Sequence, residues 1–168
     1  YKVSGGLHGV GASVVNALSE WCEVIVKREG KIWKQKYSRG NVLTDLINIG
    51  EAEGSGTTVS FKPDTEIFEE SEYDFDILSK RLRELAFLNK GIHLTLTDMR
   101  VKDDEGNPLS EHYYSEHGLS EFVEYLDATR GQRIIENIIY LDTEESGVPV
   151  EVAMQYNDSY SENVHSYV

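Results

Sequence analysis

The sequence predicts an α+β protein, a mainly antiparallel sheet covered by helices, on three observations. β-Rich runs meet across short turns at Gly30 and at Ser146-Gly147, the spacing of hairpins. Two stretches, Phe75–Asn89 and Leu119–Thr129, carry apolar residues at helical spacing. A glycine-rich loop, Gly5–Gly11, runs directly into a third helical stretch. Hairpins mixed with helices argue against a parallel doubly wound sheet.

In chain order, Ala12–Trp21 places Val14, Val15, Leu18, Trp21 and Cys22 on one helical face. Glu23–Glu29 and Lys31–Tyr37 flank Gly30 as the strands of a hairpin. Little pattern follows in Asn41–Gly56 beyond a strand at Asp45–Gly50, and Thr57–Phe61 is a short strand stopped by Pro63. The helix at Phe75–Asn89 has Asp74 as its N-cap and Gly91 just past its last turn. Its apolar face is read as Ile77, Leu78, Leu82, Leu85, Ala86, Phe87 and Leu88. Ile92–Thr97 alternates as a strand, Asp103–Pro108 is a turn, and His112–Tyr114 adds a short strand. After the Leu119–Thr129 helix come strands at Ile138–Leu141 and Val148–Tyr156 and a further strand at Asn163–Val168.

Composition excludes several classes. The 168 residues are 39% hydrophobic and 27% charged, as in ordinary globular proteins. No apolar run approaches the roughly 20 residues of a membrane span, and no signal-peptide pattern opens the chain. A single cysteine, Cys22, forbids an intrachain disulfide and fits a reducing, cytoplasmic setting. With 16 Lys+Arg against 30 Asp+Glu the net charge is −14, which argues against this stretch alone gripping nucleic acid.

The glycine loop carries the most chemistry. Glycines permit positive φ and close backbone approach, and a helix N-terminus offers free N–H groups to an anion. A plain tight turn before a helix has the same spelling. The P-loop pattern fails because Ala12 stands where its lysine belongs, and the dinucleotide fingerprint fails because Val14 stands at its third glycine. Elsewhere, Glu69-Glu70, Asp103–Glu105 and Glu144-Glu145 read as solvated faces and turns. The Asp103 loop misses the EF-hand pattern, since Val101 and His112 fall at ligand positions. His8, His93, His112, His117 and His165 show no zinc spacing, so no metal site is expected.

Tyr1–Ser19, with its run Ser4-Gly-Gly-Leu-His-Gly-Val-Gly-Ala-Ser13, resembles the glycine box of the gyrase B family. That family carries the ATPase of bacterial type II topoisomerases, within the GHKL superfamily. Arg28–Ile32 with Gln35–Tyr37 is similar to the family's hairpin, and Gly56–Phe61 to its threonine strand. Lys80–Asn89 resembles its characteristic helix, and Val150–Asp158 the strand leading into the next domain. The matches run in order over essentially the whole chain.

The resemblance implies a GHKL (Bergerat-type) α/β sandwich, mostly antiparallel with helices on one face and incomplete at its N-terminus. It divides the chain into residues 1–147, the later part of the ATPase domain, and 148–168, a closing strand with the beginning of the transducer domain. It also implies roles. Leu7, His8, Gly9, Val10 and Gly11 would wrap the ATP triphosphate. Tyr1 would lie near adenine or ribose, Lys2 near the nucleotide lid, Thr57 at the adenine, and Ser13 along the pocket. Arg28 would sit at the rim where coumarin-type inhibitors of the family dock. The catalytic residues and the Mg²⁺ ligands are expected upstream, so the stretch alone is expected to be inactive. The implied partners are a gyrase A subunit and DNA, through other regions, and a second copy on ATP binding, with no membrane.

Three functions are open to such a chain: part of an ATP-driven topoisomerase, either gyrase or the related topoisomerase IV; a kinase-like or chaperone-like ATPase of the same superfamily; or a non-enzymatic acidic interaction domain.

Overall fold

The structure is a computed structural model, and it describes residues 9–128 and 130–167. Among these the chain forms two compact units, one of residues 9–72 with 166–167, the other of residues 73–165.

The first unit contains α1 (Val10–Ala17), β1 (Ser19–Arg28), β2 (Lys31–Ser38), β3 (Asn41–Val42), β4 (Ile47–Glu51) and β5 (Gly56–Pro63). Its sheet runs β3-β2-β1-β5, with β4 also paired to β2, and every pairing is antiparallel. The β1–β2 hairpin turns at Glu29-Gly30, both at positive φ (54° and 75°), which matches the right-handed strand twist. Opposed residues share a face. One face collects Cys22, Val24, Val26, Trp33, Tyr37, Val59 and Phe61. On the other, Glu23 bonds Lys34 and Lys36 at 2.8 and 3.4 Å. α1 packs against β1, β2 and β5. Cys22 is buried, and that burial pushes its thiol pKa up.

Expected helix Ala12–Trp21 is corrected here: α1 starts earlier and stops at Ala17, and Trp21 and Cys22 belong to β1. Leu18 and Ser19 make the break, with Ser19 Oγ donating to Val15 O at 2.5 Å. Beyond it, pairing of β1 on both edges satisfies the backbone better than another helical turn would. The break is held from outside. Arg39 N donates to Ser19 O and Asp64 N to Leu18 O. The buried Asp64 carboxylate accepts from Arg39 Nε at 2.5 Å and from Glu66 N at 3.0 Å. The Arg39 hydrogen bond foremost holds the Asp64 pKa below the usual carboxylate range. The strand expected at Asp45–Gly50 lies at Ile47–Glu51 instead.

The second unit contains α2 (Phe75–Leu88), β6 (Leu94–Lys102), β7 (Pro108–Tyr113), α3 (Leu119–Asp127), β8 (Ile139–Glu145) and β9 (Val148–Met154). β6–β7 and β8–β9 are antiparallel hairpins, and the expected division at 147/148 falls at the turn of the second. Asp74 caps α2 as the sequence predicts, accepting from Ile77 N at 2.9 Å. α2 packs on β6, β7 and α3, and α3 on β9. Ala86, Tyr113 and Phe122 are buried between them, with the Phe87 and Phe122 rings stacked at 5.1 Å. Glu111 is the polar centre, accepting from Tyr113 Oη at 2.7 Å and Ser79 Oγ at 3.1 Å. The Tyr113 bond is the first cause of its lowered pKa. The strand expected at Asn163–Val168 does not form: residues 163–167 are in no strand and have no ladder partner among the described residues.

Asp98 stands at the edge of an irregularity in the β6–β7 ladder, where the register shifts before resuming at Lys102 and Pro108. Its carboxylate accepts from Arg100 N and Nε at 2.9 Å and from Nη2 at 2.7 Å. The same guanidinium donates to Tyr73 O just before α2. These bonds, the side-chain one first, pull the Asp98 pKa down to about 2. A carboxyl depressed on folding stabilises the fold above its unfolded value, about 3.9. That contribution fades as pH falls through the folded value. The urea midpoint of the second unit should therefore drop between about pH 4 and pH 2. Asp98→Asn should start lower and lose part of that slope; a variant falling as steeply as the parent would refute the assignment.

The accessible surface is 13080 Å². Val59 and Phe61 on the sheet, Val10 and Val14 on α1, and Leu141 and Val150 on the last hairpin are all exposed.

Candidate nucleotide-binding site

Of the glycine loop, Gly9 to Ser13 are described; Tyr1, Lys2, Leu7 and His8 lie outside the described residues. Gly9 is the N-cap of α1 at φ 77°. An L-residue there would be strained although nothing lies within 4 Å of an added Cβ. The cap offers no side-chain hydrogen bond, and the first turn holds no acidic residue. Ser13 turns inward on the helix, its N–H and Oγ both directed at Gly9 O at 3.4 and 3.3 Å. Among the described residues the N–H groups at the start of the helix thus meet no side-chain capping oxygen and no first-turn carboxylate, and they sit at the positive end of the dipole. Gly11 is open as well, with no atom within 4 Å of an added Cβ. Such a helix start can receive a phosphate through backbone alone.

Thr57 and Arg28 are brought together by the β1–β5 register. Thr57 lies opposite Val26, and Arg28, two residues further along β1, shares that face on the diagonal. Both side chains are exposed, and among the described residues Arg28 bonds its neighbour Glu29, at 3.1 Å. A surface-exposed hydroxyl is available to a ligand. Among the described residues no hydrogen bond or ion pair joins Thr57 or Arg28 to the helix start. Asn16 escapes the sequence reading: its Oδ1 is buried with no partner among the described residues, and a lone polar residue within a helical pattern gives no warning of that. No group of three or more His, Cys, Asp or Glu converges among the described residues, so these do not fit a magnesium site.

A DNA gyrase B family model matches residues 118–168. The chain is 54% identical over 168 residues to the DNA gyrase B protein of Eisenibacter elegans, covering all of this chain and 35% of that protein. It is 54% identical over 167 residues to the DNA gyrase B protein of Clostridium acetobutylicum, covering 99% of this chain and 25% of the relative. The chain thus spans about a third of the length of the curated relatives it matches. Among solved structures it superposes on the 43K ATPase domain of Thermus thermophilus gyrase B, solved in complex with an aminocoumarin, with a TM-score of 0.73. That match is 38% identical and covers 87% of this chain and 38% of the other. With half or more of its residues shared across its whole length and the fold in common, the chain belongs to the DNA gyrase B family.

Proposed function

We propose that this chain is part of the ATP-binding and ATP-hydrolysing region of a DNA gyrase, in which ATP binding and hydrolysis are coupled to DNA strand passage and supercoiling. The uncapped N-terminus of α1, opened by a left-handed Gly9 and an unobstructed Gly11, carries this reading. Backbone N–H groups from Leu7 to Gly11 would hold the triphosphate and stabilise the charge that develops on the transferred phosphoryl group. Ser13 braces the loop from inside the first turn. Thr57 would meet adenine, Arg28 the rim of the pocket, and Tyr1 and Lys2 the nucleoside and its lid. The Mg²⁺ ligands and the water-activating group would lie elsewhere in the parent, as the family resemblance implies, and no step is routed through them. The parent would work in the cytoplasm with a gyrase A subunit and DNA, pairing with its own copy when ATP binds.

Calorimetry with a non-hydrolysable ATP analogue and Mg²⁺ tests the reading on the complete parent protein. Saturable heat that Thr57→Ala reduces supports it. No heat from the complete parent removes it.

A further inference from the structure

His93 and His112 are 19 positions apart and show no metal spacing in sequence, yet the β6–β7 register joins them. Thr95 lies opposite His112 on the ladder. Period-two alternation then puts His93, Thr95, His112 and Tyr114 on the solvent face, opposite the face that buries Tyr113. His93 Nδ1 and His112 Nε2 are 3.1 Å apart. The second nitrogen of His112, Nδ1, lies 3.1 Å from Thr95 Oγ1. The His93 ring is stacked on Tyr114 at 4.4 Å and 13°.

We propose that this pair is a two-imidazole site for a borderline divalent transition metal of the zinc or nickel class. Metal–imidazole bonds of about 2.0–2.1 Å put two nitrogens roughly 2.9–3.4 Å apart, from right-angled to tetrahedral arrangements. The observed 3.1 Å falls inside that interval. With His112 Nδ1–H donating to Thr95, Nε2 keeps its lone pair outward, the arrangement that orients metal-bound histidines. In the metal-free state one proton lies between the rings. A cation takes its place as His93 shifts its proton to Nε2, with no net proton released; metal–nitrogen bonds of about 2.0–2.1 Å put the ion off the line between the two nitrogens, so the rings swing by roughly 40° to face it. Tyr114 holds His93 in place, and water completes the coordination. Soft thiolates and carboxylate clusters are absent around the pair among the described residues, so hard cations such as Mg²⁺ are excluded on ligand chemistry.

The test is titration of the 168-residue chain with Zn²⁺ alone and with Ni²⁺ alone, by calorimetry and by the imidazole NMR resonances. One metal per chain is expected, with the His93 and His112 resonances moving and those of His117 and His165 unmoved. His93→Ala and His112→Ala should each weaken binding at least tenfold, and Thr95→Val by about tenfold through loss of ring orientation. All three positions are exposed, so the variants should keep the parent's circular dichroism. Unchanged affinity in both histidine variants, or resonances moving at other histidines only, would overturn the site.

Discussion

Gly9→Val should cut ATP-analogue affinity of the complete parent protein more than tenfold, while Gly11→Ala should weaken the nucleotide and strengthen the fold. The two glycines do different things. Gly9 sits at φ 77°, where a side chain costs about 1–2 kcal/mol and a β-branched one more. Valine would drive the N-cap back to negative φ and turn the first N–H groups away from the phosphate position. Gly11 is inside the first turn of α1 with ordinary φ. Alanine there gains about 0.5–1 kcal/mol of helix stability and meets nothing within 4 Å. Its only penalty arises when a phosphate must approach the backbone. Measured side by side, urea unfolding and calorimetry should therefore give opposite signs for Gly11→Ala. If that variant is more stable and binds as tightly as the unmodified protein, the loop is a structural turn and the nucleotide reading fails.

Much of the fold is written in local signals. Asp74 caps its helix through Ile77 as its position suggests, and Glu29-Gly30 makes the hairpin turn that two β-rich runs require. What sequence could not show was decided by pairing partners. Trp21 and Cys22 continue the helical period of Val14 and Leu18, but β1 is flanked by β2 and β5 and the ladder wins. Asn163–Val168 has strand-like spacing, yet among the described residues 163–167 find no partner strand, and spacing alone does not make a strand. By its residues alone the glycine loop reads either as a candidate anion site or as a plain turn, and its assignment to ATP rests on the resemblance, because backbone N–H groups carry no side-chain signature. Arg28 and Thr57 share a face only through the register of two strands 29 positions apart in sequence. The His93–His112 contact was hidden for the same reason.

Phe122→Ala should be the most damaging single change in the second unit, at about 3–5 kcal/mol. Phe122 is 4% exposed on α3, stacked against Phe87 of α2 at 5.1 Å and 15°. Phe87 in turn contacts Tyr125 at 5.7 Å, and Arg83 lies over the Tyr125 ring at 5.5 Å while its Nη1 donates to the Tyr125 hydroxyl at 3.1 Å. Truncation at Phe122 therefore removes the ring that joins the two helices and leaves a cavity the aromatic cluster cannot close. Total stabilities of small domains are about 5–15 kcal/mol, so a loss of this size takes at least about a fifth of the margin. Ile77 provides the contrast. By spacing it belongs to the apolar face of α2, but it is 70% exposed. Ile77→Ala should shift stability by no more than about 0.5 kcal/mol. Urea unfolding of the two variants separates periodicity from burial. Equal losses would mean that Phe122 and Phe87 do not hold α2 to α3; a large gap would show that the aromatic contact, and not the apolar stripe as a whole, fixes the helices in place.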